Sequence, residues 1–273
     1  MEFSYDDLTC RNWPLITKEQ QEKLKSTRVL IAGCGTGSLT AEQAVRMGFA
    51  RLTVVDGDAV SITNMNRQAY DCRDVGQNKA RATRKRLLRI NPECQVKAVP
   101  EFLSAKNVEK LVTGCDIVVD AIDLFDLNAV LMLHKEAMSQ NKPVVTGINL
   151  GWGAVGMVFT PSSMTIGQLI SSFAGVPEDK LLDARIEDLM AAAPQALLKY
   201  LPSYFPGLIA ELAKGPRVKD MMDGFPQPAV AAMQCVTFGI AALTRVALGL
   251  PVAVAPKPLY LDPWLALEPK DGA

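Results

Sequence analysis

The chain has 273 residues, 49% of them hydrophobic, and it balances 29 basic against 29 acidic side chains. That length can bury a full core in one large or two small domains, and the charge balance gives no sign of a nucleic-acid or anionic-membrane partner. Cysteines at 10, 34, 72, 94, 115 and 235 form no CxxC pair and the one histidine is His134, so no zinc site built from protein side chains is expected. The first ten residues are acidic and lack the basic flank and apolar core of a secretion signal, and six unpaired thiols suit a reducing cytoplasm.

Arg11 precedes a short polar helix over residues 14 to 27, with Thr17 as N-cap and Gln20 closing a capping box. Val29 to Ala32 reads as a buried parallel strand that runs into a turn of Gly33, Gly35 and Gly37. A helix follows from about Ser38 to Met47, so its free N–H groups and positive dipole end face the glycine turn and favour an anion. A strict GxGxxG would carry glycine at Ser38. Leu52 to Val55 makes a second strand ending at Asp56, an acid placed to accept hydrogen bonds from a ribose.

A polar segment, Ser61 to Gln77, leads to a basic helix from about Asn78 to Ile90, stopped by Asn91-Pro92. Strands fit Val96 to Val99, Ile117 to Val119, Val144 to Thr146 and Val155 to Phe159, and helices fit Asn107 to Val112 and Phe125 to Gln140. This alternation predicts an α/β fold, a doubly wound, mostly parallel Rossmann-like sheet with a C-terminal helical insertion or cap. The expected organisation is a nucleotide-binding α/β domain with an N-terminal helix over residues 1–163 and a helical insertion or lid over 164–228. Residues 229–273 then supply a closing helix and strand of the same domain. Within the insertion, Lys180 to Leu198 is amphipathic. The closing helix, Ala229 to Leu248 with Gly249 as C-cap, is expected to be a core or subunit-interface helix and not a bilayer span, because prolines interrupt the weakly charged stretch that contains it. A last extended run lies near Leu259 to Leu261.

The chemistry concentrates in NMNRQ followed by DVGQNKA, where Asn64, Asn66, Arg67 and Gln68 crowd a loop for which a plain dehydrogenase has no use. Arg67 offers a planar fork for phosphate oxygens, and Lys79, at the start of a helix, offers a point charge. Asp123 follows a strand on the edge where ligands sit in such sheets, and a carboxylate facing phosphates usually holds magnesium. Asp58 is read as a turn cap, while Asp120 is open to a site role or to bonding local backbone. His134 is expected to face solvent, and Cys235 to be a core residue rather than a nucleophile. Gly151, Trp152 and Gly153 form an aromatic turn suited to lining an acceptor pocket.

The segments QEKLKSTRVLIAGCGTGS, VVDGDAV, NMNRQ, DVGQNKA, INPE and VVDAID, in this order from Arg11 to about Thr160, resemble the ThiF/MoeB/HesA superfamily, the adenylyltransferase fold shared with ubiquitin-activating enzymes. The resemblance implies that Asp56 holds the ribose of ATP, that Asn66, Arg67 and Lys79 hold its phosphates, and that Asp123 helps hold Mg2+. It also implies a homodimer in which Arg11 reaches the partner subunit's phosphates. Gly33, Gly35, Gly37 and Gln68 complete the nucleotide-binding set. The zinc CxxC pairs and the crossover-loop cysteine of some superfamily members are absent, so neither zinc nor a thioester is expected.

The expected reaction is attack of a substrate carboxylate on ATP to give an acyl adenylate and pyrophosphate. Acceptors in the superfamily are ubiquitin-like carrier proteins or small-molecule and peptide carboxylates. The apolar segment Met164 to Phe225, read as a lid over the nucleotide, favours the small or peptide carboxylate. An NAD-binding oxidoreductase accounts for the glycines and Asp56 but not for Arg67, Lys79 and Asp123 together. The intact set of phosphate ligands speaks against a catalytically silent scaffold. Neither nucleic acid nor a membrane is expected as a partner.

Overall fold

The computed structural model describes residues 2–123, 126–183 and 227–267. A short helix α1 (Tyr5–Thr9) and a turn at Cys10–Asn12 precede α2 (Lys18–Ser26), whose Thr17–Gln20 capping box forms as the sequence predicts. Strand β1 (Arg28–Ala32) then leads through the glycine turn to α3 (Thr36–Met47), which starts two residues earlier than expected, and on to β2 (Arg51–Val55). Helix α4 (Lys79–Ile90), β3 (Gln95–Val99), α5 (Val108–Thr113), β4 (Ile117–Asp120), α6 (Leu127–Ser139), β5 (Val144–Leu150) and β6 (Gly153–Phe159) follow.

The seven described strands form one sheet in the order β3-β2-β1-β4-β5-β6-β7, where β7 is Leu259–Leu261. The first five pair in parallel, while β6 returns antiparallel along β5 and β7 antiparallel along β6. Strand alternation sorts β1 between two cores. Val29 and Ile31 pack with Leu24, Val45, Phe49, Leu87 and Leu243, whereas Leu30 and Ala32 pack with Leu111, Leu133, Phe159 and Leu169.

Helix α7 (Ile166–Ala174) and a turn at Glu178–Lys180 are the described parts of the expected insertion. The amphipathic stretch beyond residue 183 and the lid expectation for 164–225 otherwise lie outside the described residues, as do Leu124 and Phe125 at the predicted start of α6. Helix α8 (Ala229–Leu248), capped by a left-handed Gly249, is long and apolar enough to cross a bilayer on length and composition alone. Here it packs against β5, β6, α2 and α3, with Cys235, Phe238, Ala242 and Leu243 buried. A short helix α9 (Pro263–Ala266) follows β7.

Candidate functional site

Three loops leave the sheet side by side, because Ala32 at the end of β1 is in register with both Val55 of β2 and Asp120 of β4. In a doubly wound sheet, the place where strand order reverses opens a crevice at these carboxyl ends. Gly33 lies at its floor with φ of 87°, and a Cβ there would stand 2.3 Å from the carbonyl oxygen of Ala121. Only glycine fits both the backbone conformation and the space. Helix α3 starts at Thr36, so its unpaired N–H groups point into the crevice.

Asp56 ties this floor together. One of its oxygens accepts the Cys34 N–H at 2.7 Å and the other the Asp58 N–H at 2.8 Å. Burial, the largest influence, raises its carboxyl above the usual value against the lowering effect of these donors and of Lys79. Ser38, at the third position of the glycine pattern, donates its hydroxyl to the Gly35 carbonyl at 2.7 Å and accepts the Ala69 N–H at 3.0 Å. Tyr70 buries its hydroxyl to donate to the Cys34 carbonyl at 2.6 Å. Together they clamp the NMNRQ loop onto the glycine turn. Neither was singled out from sequence, although a hydroxyl in place of the third glycine was the available signal for Ser38.

The side chain of Gln68 lies over Gly35, and its buried Oε1 has no hydrogen-bond partner. Arg67 donates from Nε to Gln227 Oε1 at 2.7 Å, and from Nη1 to the Thr63 carbonyl and Asn66 Oδ1, both at 2.9 Å. Asn66 Nδ2 in turn donates to the Gln227 carbonyl at 3.0 Å. Burial lowers the Arg67 pKa, and the charge of Asp123 opposes that shift. Gln227 had no sequence signal, since it stands 160 residues from Arg67.

Lys79 is 9% exposed and holds Asp58 Oδ2 at 2.9 Å, so it turns away from the exposed basic face of α4 that carries Arg81 and Lys85. Its partner corrects the reading of Asp58: the carboxylate is committed to an ion pair, while Asn78 secures the turn by donating to the carbonyls of Asp56 and Asp58. His134 is a second correction. It is 2% exposed, and its Nε2 lies 2.9 Å from Asp120 Oδ2, while Asp120 Oδ1 accepts the Ile122 N–H. A carboxylate that points inward at a strand end needs a partner, and the neighbouring helix supplies one. This pair braces the loop that carries exposed Asp123.

Arg11 is not brought to this cluster. It is exposed on the turn Cys10–Asn12, where Asn12 Nδ2 donates to the Met47 carbonyl at the far end of α3. Cys235 is buried, its Sγ donates to Asn149 Oδ1 at 2.8 Å, and burial pushes the thiol up to about 12, which disfavours the nucleophilic thiolate. At the β5–β6 turn, Trp152 stacks on Trp264 with ring centroids 4.4 Å apart. Among the described residues no group of three or more His, Cys, Asp or Glu is placed to hold a metal.

Residues 9–213 match the ThiF family over most of the chain's length. The chain belongs to the ThiF family. Among its relatives, the tRNA threonylcarbamoyladenosine dehydratase of Bacillus subtilis is 38% identical over 50% of this chain and 55% of its own length. The enzyme of that name from Escherichia coli is 30% identical over 77% of this chain and 81% of its own. The sulfur carrier protein adenylyltransferase of Thermus thermophilus is 35% identical over 49% of each. Matches to the Bacillus and Thermus proteins thus span about half of those relatives' length. The crystal structure of the E. coli dehydratase with ATP superposes at a TM-score of 0.51 with 30% identity, covering 55% of this chain and 65% of that one.

Proposed function

We propose that this ThiF-family chain is an ATP-dependent adenylyltransferase that activates a carboxylate. One observation carries the reading: at the glycine turn before α3 the side chain of Gln68 lies over Gly35 with its buried Oε1 unbonded, next to Arg67 on the same loop, while Lys79 pairs with Asp58 two residues beyond Asp56. An NAD site needs the glycines and Asp56 but gives no work on the phosphate side to the half-buried Arg67 and the buried Lys79. The name of the ATP-bound structural relative supports the same ligand.

In the proposed reaction a carboxylate oxygen of the acceptor attacks the α-phosphorus, the bond from that phosphorus to the bridging oxygen breaks, and pyrophosphate leaves. The protein contributes position and charge. Gly33, Gly35 and Gly37 let the backbone approach the phosphates, Asp56 orients the ribose, and Arg67, Asn66 and Lys79 take up charge on the departing pyrophosphate. Magnesium suits a donor set of one carboxylate plus phosphate oxygens. Asp123 would hold it, and the ion would neutralise phosphate charge.

Arg11 serves this chemistry only across a dimer. It sits at the opposite end of α3 from the glycine turn, a helix of 12 residues, and that places it about 18 Å away along the helix, beyond the reach of one arginine side chain. A homodimer is therefore part of the proposal, and six free thiols support a reducing, cytoplasmic setting. We place the acceptor among small or peptide carboxylates. The names of the relatives include both a dehydratase of a modified nucleoside and an adenylyltransferase for a sulfur carrier protein, and the second keeps a carrier protein as the alternative.

The test is ATP–pyrophosphate exchange with the full chain, screened against small carboxylates, peptides and glycine-ended carrier proteins. Arg67→Ala and Lys79→Ala should each abolish exchange with the circular dichroism spectrum unchanged. Full exchange in both variants would refute the assignment.

A further inference from the structure

The geometry points to Gln227 as an internal occupant of the phosphate site that the triphosphate must displace, an inference that rests on the nucleotide reading above. Arginine grips a phosphate through two parallel donors, either Nε with Nη2 or Nη1 with Nη2. In Arg67 the first fork is engaged because Nε donates to Gln227 Oε1 at 2.7 Å, and the second because Nη1 donates to Thr63 and Asn66 at 2.9 Å. Thr63 and Asn66 belong to the arginine's own loop and fix how its guanidinium points. Gln227 comes from elsewhere in the chain, and its carbonyl also takes Asn66 Nδ2 at 3.0 Å.

One residue thus satisfies, with two neutral oxygens, a donor from each of two side chains aimed at phosphate. A phosphate oxygen carries charge and forms the stronger bond, so it wins the exchange. Adenosine, which has no phosphate, leaves Gln227 in place. Pro228 directly follows Gln227 and caps α8, and α8 packs on β5, β6 and α3. Displacement of Gln227 therefore transmits phosphate occupancy to the end of a core helix.

The experiment is calorimetric titration of the full chain with ATP and, separately, with adenosine, for the wild type, Gln227→Ala and Gln227→Glu. Removing a competing hydrogen bond should tighten ATP binding by Gln227→Ala about fivefold. Gln227→Glu sets a charged acceptor against Arg67 and should weaken ATP binding by about tenfold or more. Adenosine affinity should stay the same in all three. ATP affinity that is unchanged or lower in Gln227→Ala, or equal shifts for ATP and adenosine, would overturn the displacement. Failure of the wild-type chain to bind ATP would remove the nucleotide reading and this inference together, whereas normal wild-type binding with an unaltered Gln227→Ala removes this inference alone.

Discussion

At Gly33 the main chain itself is the working part. Its φ of 87° and the Ala121 carbonyl, 2.3 Å from where a Cβ would lie, leave no side chain to relax when alanine is inserted. Gly33→Ala should cost about 2–3 kcal/mol in urea unfolding and weaken ATP binding as the floor of the crevice shifts. His134→Ala should cost about 3 kcal/mol or more, since it strands the buried Asp120 carboxylate, while His134→Gln, which keeps a donor, should recover part of that loss in the same assay. The NMNRQ loop and Lys79 could be proposed from the sequence because their crowding is local. His134 could not, because periodicity on α6 is compatible with either flank of the buried Leu133, and the decisive fact is an inward-pointing acid 14 residues away. Gln227 was hidden for the same reason on a longer scale.

Among the elements, α2 and α4 follow from their caps, and α8 from its apolar length ended by Gly249. The sequence pattern predicts strand β5 only over Val144 to Thr146. It continues to Leu150 in a seven-residue ladder with β6, and a Cβ on Gly147 would meet Cys235 of α8 at an ordinary contact distance of 3.6 Å. The seam is tighter at Gly156, where a Cβ would fall 2.1 Å from the Phe238 ring. Gly156→Ala should therefore destabilise the chain by about 2 kcal/mol through overpacking. Phe238→Leu should cost less in the Gly156→Ala background than alone, a coupling that a double-mutant cycle measured by chemical denaturation would expose. Additive costs would mean that the ring and the strand do not press on each other.

For the whole molecule, the doubly wound order was readable from the alternation of strand and helix signals, whereas the antiparallel return of β6 and β7 was not, since nothing in a short apolar run states its direction. The interior also stores acid–base information. Burial raises the thiols of Cys94 and Cys235 to about 12 and of Cys115 to about 11, from an ordinary 9.0. The unfolded chain loses these protons first as the solution becomes alkaline, so their stabilisation is complete below pH 9.0 and disappears as pH rises through 11 to 12. Each thiol should contribute a slope of up to about 1.4 kcal/mol per pH unit in that window. Unfolding midpoints measured from neutral to alkaline pH should fall above pH 9.0, less steeply when Cys115 and Cys235 are both replaced by alanine. Finally, two indoles lie almost parallel, 12° apart in plane, where the β5–β6 turn meets α9. Chromophores so close share their excited states, so the pair gives the protein an optical signature of its own. Exciton-coupled circular dichroism from Trp152 and Trp264 would then report, without any label, whether the last strand stays docked beside the turn at Gly151–Gly153 when nucleotide and acceptor are added.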